Sequence, residues 1–171
     1  AGTFITSVGH ANGIGWREND QPKFNKPGYV FMVSGGGALL KKTMLEKVGL
    51  LDEDYFTYFE DVDLCLRAQL QGLKAWYQPK AIIYHVHKAT SQRNLAKTEY
   101  LQFRNMTMTI IKNFPAGLLM ANWFKILLVN LHTVWFLMKE GYGWSAVKAE
   151  LYVLFYLDKL LEKRKMIQSK R

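Results

Sequence analysis

Cysteine is almost absent: Cys65 stands alone in 171 residues, so no internal disulfide can staple the chain and stability has to come from a packed core. A chain this long can form one compact domain, or a smaller one with appended helices, and bury about 70% of the surface it exposes when unfolded. No charged start followed by an apolar run and small residues opens it, so nothing points to export, and a reducing, cytoplasmic setting is expected. The first residue is Ala1, inside what reads as a loop or strand, and a fragment of a longer protein is expected. Internal repeats and low-complexity tracts are lacking, which sets aside solenoids and flexible linkers. Acids are few, 14 against 23 Lys and Arg, and the net charge of +9 fits an anionic partner such as a nucleotide diphosphate, a nucleic acid or an anionic membrane face.

An uninterrupted hydrophobic run is also missing. Residues 116 to 138 are rich in Leu, Trp and Phe and have the length of a membrane span, but Lys125, Asn130 and His132 interrupt them. A Lys near the centre of a span costs roughly 2.5 to 3.5 kcal/mol on insertion scales, so a helix lying in the interface or packed on protein is expected. The charge that is present is unevenly placed. Acids crowd between Asp52 and Asp63, whereas Lys159, Lys163, Arg164, Lys165, Lys170 and Arg171 make the end strongly basic, as though two jobs sat in two places.

Residues 1 to 28 read as irregular, with turns at Asn12-Gly13 and Lys26-Pro27-Gly28. Tyr29 to Val33 is β-branched and aromatic and runs into Ser34-Gly35-Gly36-Gly37, which predicts a buried strand entering a turn where backbone approaches something closely. A short helix follows, with Thr43 and Glu46 at capping-box spacing and Gly49 placed to stop it. Glu60 to Gln71 predicts a second helix with an acidic first turn and Gly72 at its end. Two strands fit Leu73 to Tyr77 and Ala81 to His85, and Asn94 to Asn113 turns helical again. Beyond Pro115 come a helix over 116 to 138, a turn at Gly141 to Gly143, and a last amphipathic helix marked by Val147, Leu151, Leu154 and Leu161.

The chemistry-bearing residues precede Pro115. Asp61, at a helix start, is kept ionised by exposed amides and can take a proton from an attacking hydroxyl. The plain alternative is that Glu60, Asp61 and Asp63 are solvent-facing acids of a first helical turn. His85 and His87 end a predicted strand and point to opposite faces, so one of them can face Asp61, as a metal ligand or as a strand-end histidine. No second His or Cys stands at zinc-site spacing, and Ser34 to Gly37 lacks the Gly-Lys-Ser/Thr of a phosphate loop. Arg104, with Arg93 and Lys97 nearby, could neutralise a diphosphate or belong to a solvated helix face. Nucleic acid is disfavoured as partner because the aromatic residues interleave with acids and not with Lys and Arg. Glycoside hydrolysis is disfavoured because Glu60 and Asp61 are sequence neighbours whose side chains diverge. A non-catalytic, membrane-associated binding module is the alternative to an enzyme.

Taken in order, Ser34-Gly35-Gly36-Gly37-Ala38-Leu39-Leu40-Lys41-Lys42, Val48-Gly49-Leu50-Leu51-Asp52-Glu53 with Tyr55-Phe56, and Glu60-Asp61-Val62-Asp63-Leu64 with Arg67-Ala68 and Gly72 resemble the family-2 inverting glycosyltransferases of the rhamnosyltransferase-like kind. Pro79, Tyr84-His85 and Arg104-Asn105 also fall where that family has equivalents, so the resemblance covers residues 29 to 115 closely. It implies an α/β chain in which residues 1 to 115 are the acceptor-side, C-terminal part of a Rossmann-like, A-type glycosyltransferase fold. Residues 116 to 171 would then be a helical, basic, membrane-associating tail. The implied reaction moves a sugar from a nucleotide-sugar donor to a glycan or lipid-linked acceptor, as in polysaccharide biosynthesis at the inner face of the cell membrane. By resemblance Asp61 is the general base, Glu60 helps bind the acceptor, and Ser34, Gly35, Gly36 and Gly37 line the acceptor and donor-sugar site. Arg104 would contact the diphosphate, and His85 would complete a site for a divalent metal, Mg or Mn. Asp52-x-Asp54 and Asp61-x-Asp63 belong to the acceptor-side loop and helix, so the family's metal-binding Asp-x-Asp and its nucleotide-binding half have no counterpart here. Leu51 also replaces an aromatic common before the family's Asp-Glu.

Overall fold

The computed structural model describes residues 1–84 and 94–171. The elements run β1 (Thr3–Ile5), β2 (Ala11–Gly13), β3 (Gly28–Val30), α1 (Lys42–Val48), α2 (Glu60–Leu70), β4 (Ala75–Tyr77), α3 (Leu95–Asn113), α4 (Ala116–Lys139), α5 (Gly143–Phe155) and α6 (Leu157–Gln168), a mixed α/β chain. Among the described residues the strands form two antiparallel pairs, β1 with β2 and β3 with β4, and a bridge from Thr3 to Met32 ties the first pair to the chain beyond β3. The stretch expected to be irregular thus contains a hairpin. The strand expected over Ala81 to His85 does not form in its described part, since residues 81–84 are irregular.

Along residues 29 to 33 exposure alternates: Tyr29 and Phe31 face out, Val30 and Val33 are half-buried and Met32 is enclosed. Side chains of a strand alternate between faces, and only one face of this pair is covered, so the run is half-buried where its composition predicted full burial. Tyr29 instead packs edge to face on Trp76 across the pair, at 4.9 Å between ring centres.

Helix boundaries follow local chemistry at most ends. At α1 the cap is Lys41, without a side-chain hydrogen bond, so Thr43 falls inside the helix and the expected capping box is not made. Gly49 stops that helix as expected, with φ 88 and its N–H donating to the Leu45 carbonyl. The Asn94 side chain accepts the Lys97 N–H at 2.9 Å to start α3. The last amphipathic run divides at Tyr156 into α5 and α6.

Helix α3 is the central element, packed against α2, α5 and α6. Phe103, Met106, Ile110 and Phe114 meet Met32, Val62 and Leu66 on one side and Leu137, Ala146 and Ala149 on the other. Small residues at 146 and 149, three apart and so on one helix face, let α5 lie close to α3. Tyr55, Met108, Val153 and Leu160 make a second cluster under the acidic loop.

One buried charge joins these parts. Asp63 is fully enclosed, and its Oδ2 accepts Arg67 Nε–H at 2.9 Å while its Oδ1 accepts from Asn113 Nδ2 at 2.8 Å, Lys112 Nζ at 3.0 Å and the Tyr55 hydroxyl at 3.3 Å. Arg67 in turn donates to the carbonyls of Val48 at 2.6 Å and Leu50 at 2.8 Å, which fixes the exit from α1. Removing one partner of such a network strands the others without charge balance. Asp63→Ala is therefore expected to lower the free energy of unfolding by roughly 3 to 5 kcal/mol. Chemical denaturation measures it, and a loss under about 1 kcal/mol, as for an ordinary surface change, would remove Asp63 from its central place.

Candidate active site

The loop that delivers Asp61 is held in an uncommon backbone shape. Phe56, Tyr58 and Phe59 have φ of 64, 67 and 66, the left-handed region that costs roughly 1 to 2 kcal/mol for a residue with a Cβ. Two buried side chains of α3 compensate. The amide nitrogen of Asn105 donates to the carbonyls of Tyr55, Thr57 and Tyr58 at 3.0, 2.8 and 2.8 Å, sharing its hydrogens among them. Arg104 donates from Nη2 to the carbonyls of Asp54 and Tyr55 at 2.8 and 3.0 Å and from Nε to Asn105 Oδ1 at 2.8 Å. Its guanidinium also lies over the rings of Tyr100 and Tyr152. The arginine singled out as a diphosphate contact is thus committed to shaping the loop. Carbonyls turned inward by left-handed residues need donors, and the adjacent Arg104-Asn105 pair supplies them.

The basic end meets the acidic loop. Lys163 Nζ bonds Asp52 Oδ1 at 2.7 Å and Asp54 Oδ2 at 2.8 Å, Lys159 Nζ bonds Asp54 Oδ1 at 2.8 Å, and Lys112 pairs with Asp52. Arg164 donates to the carbonyls of Ile111 and Phe114, and Gln168 to those of Lys112 and Asn113, closing the C-terminus of α3. The two charge clusters that looked separate along the chain are therefore one network, because α6 folds back over α3. Burial by itself would raise the Asp52 carboxyl, but the hydrogen bonds from Lys112 and Lys163 outweigh it and hold Asp52 well below the usual carboxylate range. Asp54 is likewise lowered: burial opposes, and Lys159 and Lys163 prevail.

Asp61 stands in the first turn of α2, half-buried. Its Oδ2 accepts the Gly35 N–H at 2.7 Å and its Oδ1 the Val62 N–H at 2.8 Å, so the carboxylate is fixed by two backbone donors. The glycine turn and the acid, 26 residues apart, are thus brought into contact. A Cβ on Gly35 would lie 3.2 Å from Asp61 Cβ, so a side chain here would press on the acid. Residues 35–37 form a single helical turn begun by Ser34, whose side chain makes no cap hydrogen bond. Beside them Glu60 is half-buried, with its Oε2 enclosed and without a hydrogen-bond partner. Burial, and then the neighbouring Asp61 charge, push the Glu60 carboxyl above its ordinary value. The arrangement is a carboxylate fixed by two backbone donors beside a second, half-buried carboxyl, and a fixed carboxylate of this kind can accept a proton from a hydroxyl.

His85, expected to complete a metal site, lies outside the described residues, as do His87 and Arg93. Among the described residues no three His, Cys, Asp or Glu side chains converge as a ligand set.

Residues 3–107 match the family model described as "Glycosyltransferase like family 2". Over 59 residues the chain is 42% identical to N-acetylglucosaminyl-diphospho-decaprenol L-rhamnosyltransferase of Mycobacterium tuberculosis, in strains CDC 1551 / Oshkosh and ATCC 25618 / H37Rv. That stretch is 34% of this chain and 19% of either relative, so the match spans about a fifth of their length. No solved structure matches.

The charge network sets a pH dependence. Because the folded values of Asp52 and Asp54 lie below their ordinary 3.8, their contribution is fully present above that value and is lost as pH falls through the folded values. Lys159 and Lys163 are raised above 10.5, Lys159 by its bond to Asp54 and Lys163 by Asp52 and Asp54 against burial, so their contribution is lost only as pH rises through those higher values. Denaturation midpoints should fall steeply below about pH 4. Asp52→Asn with Asp54→Asn should flatten that acid limb, and an unchanged slope would disprove the role given to these pairs.

Proposed function

The chain belongs to the family-2 glycosyltransferases, and we propose on that basis that it forms the acceptor side of an inverting sugar transfer with Asp61 as general base. The observation that carries the reading is the Asp61 carboxylate, fixed by the Gly35 and Val62 amides beside Glu60. An acceptor hydroxyl gives its proton to Asp61 while its oxygen attacks the anomeric carbon. The bond from that carbon to the donor diphosphate breaks on the opposite face with its electron pair, and configuration inverts in one displacement. Glu60, beside Asp61, helps bind the sugar acceptor, and the glycine turn Ser34 to Gly37 lines the site. Arg104 and Asn105 serve by holding the loop before Asp61 in its left-handed course.

The donor is a nucleotide sugar, and the acceptor a glycan or a lipid-linked sugar at the cytoplasmic face of the membrane. The relatives' name, which includes a sugar diphospho-decaprenol, supports the lipid-linked choice. A divalent metal, Mg or Mn, with His85 among its ligands, would offset charge on the leaving diphosphate. The described residues do not by themselves make up its site. Tight donor binding belongs to a nucleotide-binding half of the kind the family has, and we propose that these 171 residues alone do not transfer sugar.

Asp61→Asn in the full-length enzyme is expected to lower kcat by about two to four orders of magnitude with the unfolding midpoint nearly unchanged, the range for losing a positioned base. Gly35→Ala, which forces Asp61 to move by a few tenths of an ångström, should cost about tenfold in kcat. Wild-type turnover by Asp61→Asn would refute the assignment.

A further inference from the structure

Helix α4 is the most exposed apolar element of the protein. It is the one helix among the described residues long and apolar enough to cross a membrane, yet it is not a free helix. Leu119, Ile126, Val134 and Leu137 pack on the core, at spacings that place them on one face. These anchors span 18 residues, about 27 Å at the α-helical rise, so α4 lies along the domain for most of its length. A helix attached in that way has one side covered by protein. A neighbouring face, about 105° round the helix from these anchors, carries Met120, Phe124, Leu127, Leu131, Trp135 and Met138, from 44% to 76% exposed and again three or four residues apart, and Trp123, Leu128 and Phe136 extend the exposed apolar surface beyond it. Lys125, His132 and Lys139 follow one another at intervals of seven and so form one line on the side turned away from the anchors, next to this stripe. All three are exposed, and Lys139 Nζ lies 4.0 Å from the Trp135 ring centre. An apolar stripe bordered by cations, with a Trp–Lys pair at its end, fits the boundary between acyl chains and anionic headgroups.

We infer that α4 is an in-plane membrane seat: its outer stripe enters the acyl boundary of an anionic bilayer while Lys125, His132 and Lys139 face the headgroups. The inference rests on the membrane location proposed above and relocates its contact. The expected contact was the whole helical, basic tail over residues 116 to 171, but Lys159, Lys163 and Arg164 of its basic end are held by the acidic loop and by α3. A second copy of the chain is a poorer occupant, because two molecules of net charge +9 repel each other.

Flotation of the full-length protein with vesicles of phosphatidylcholine, with and without phosphatidylglycerol, tests this, along with extraction by alkaline carbonate. The wild type should float with the anionic vesicles and be released by carbonate. Leu127→Ser, Leu131→Ser and Trp135→Ser together should lower partitioning by about tenfold or more, since each removes exposed apolar area. Lys125→Glu with Lys139→Glu, which leaves the apolar face intact, should abolish the preference for phosphatidylglycerol. Lys165→Glu with Lys170→Glu at α6 should change binding by no more than about twofold. Release by the α6 pair but by neither α4 variant would overturn the seat while leaving membrane association standing. Wild-type protein that floats with neither vesicle would refute the membrane location itself. Resistance to carbonate would show a span, and a dimer in sedimentation that the triple variant dissociates, without flotation, would show that a second copy covers the face.

Discussion

Asp63 is the interaction on which the arrangement depends. It belongs to the same acidic string as Asp61, yet it is fully enclosed and touches α2, α3 and the loop between α1 and α2 at once through Arg67, Lys112, Asn113 and Tyr55. A buried carboxylate persists only where several donors replace its water. Here those donors come from elements whose relative position sets where Asp61 stands. The spacing of two residues within α2 separates the acids by about 200°, so one points to the interior while the other reaches the glycine turn. Division of labour between Asp61 and Asp63 is thus a consequence of helix geometry.

Around this anchor, α3 acts on the site from behind. Arg104 and Asn105 satisfy the carbonyls that three left-handed aromatic residues turn inward, and Lys112 neutralises both Asp52 and Asp63. Backbone strain of this kind persists when surrounding structure over-determines it. Chain that follows the family-matched region also takes part: α6 brings Lys159 and Lys163 onto Asp52 and Asp54, and α5 brings Val153 and Tyr152 under the same loop. The helical end therefore supports the loop before Asp61 as well as offering α4 outward.

That dual placement explains the exposed apolar surface of α4 without appeal to a poorly packed chain. One face completes the core through Leu137 and its neighbours, and the other is exposed among the described residues. A helix apolar all round is ordinarily buried, and a two-sided one is understood when each side meets an apolar phase of its own.

The sequence by itself determined the helices from Glu60 to Lys139, their ends at Asn94, Gly72 and Pro115, and the ordered string from Ser34 to Gly72 that marks the family. These are signals of local propensity, spacing and resemblance, and they did not say that Gly35 and Asp61 touch. It did not determine the part played by Arg104 or the pairing of the acidic loop with the basic end. Arg104 read as an anion contact because an arginine's partners are invisible until the loop it holds is folded. Lys163 and Asp52 lie 111 residues apart, and no local pattern records that α6 returns across α3. Thr43 failed as a cap because the helix began earlier, at Lys42, than its composition implied. Nor could composition say whether residues 116 to 138 stand free or lie against the domain, since an apolar helix has the same residues in either case. Only packing, which decides which side of each helix meets another element, separated Asp61 from Asp63 and the inner face of α4 from its outer one.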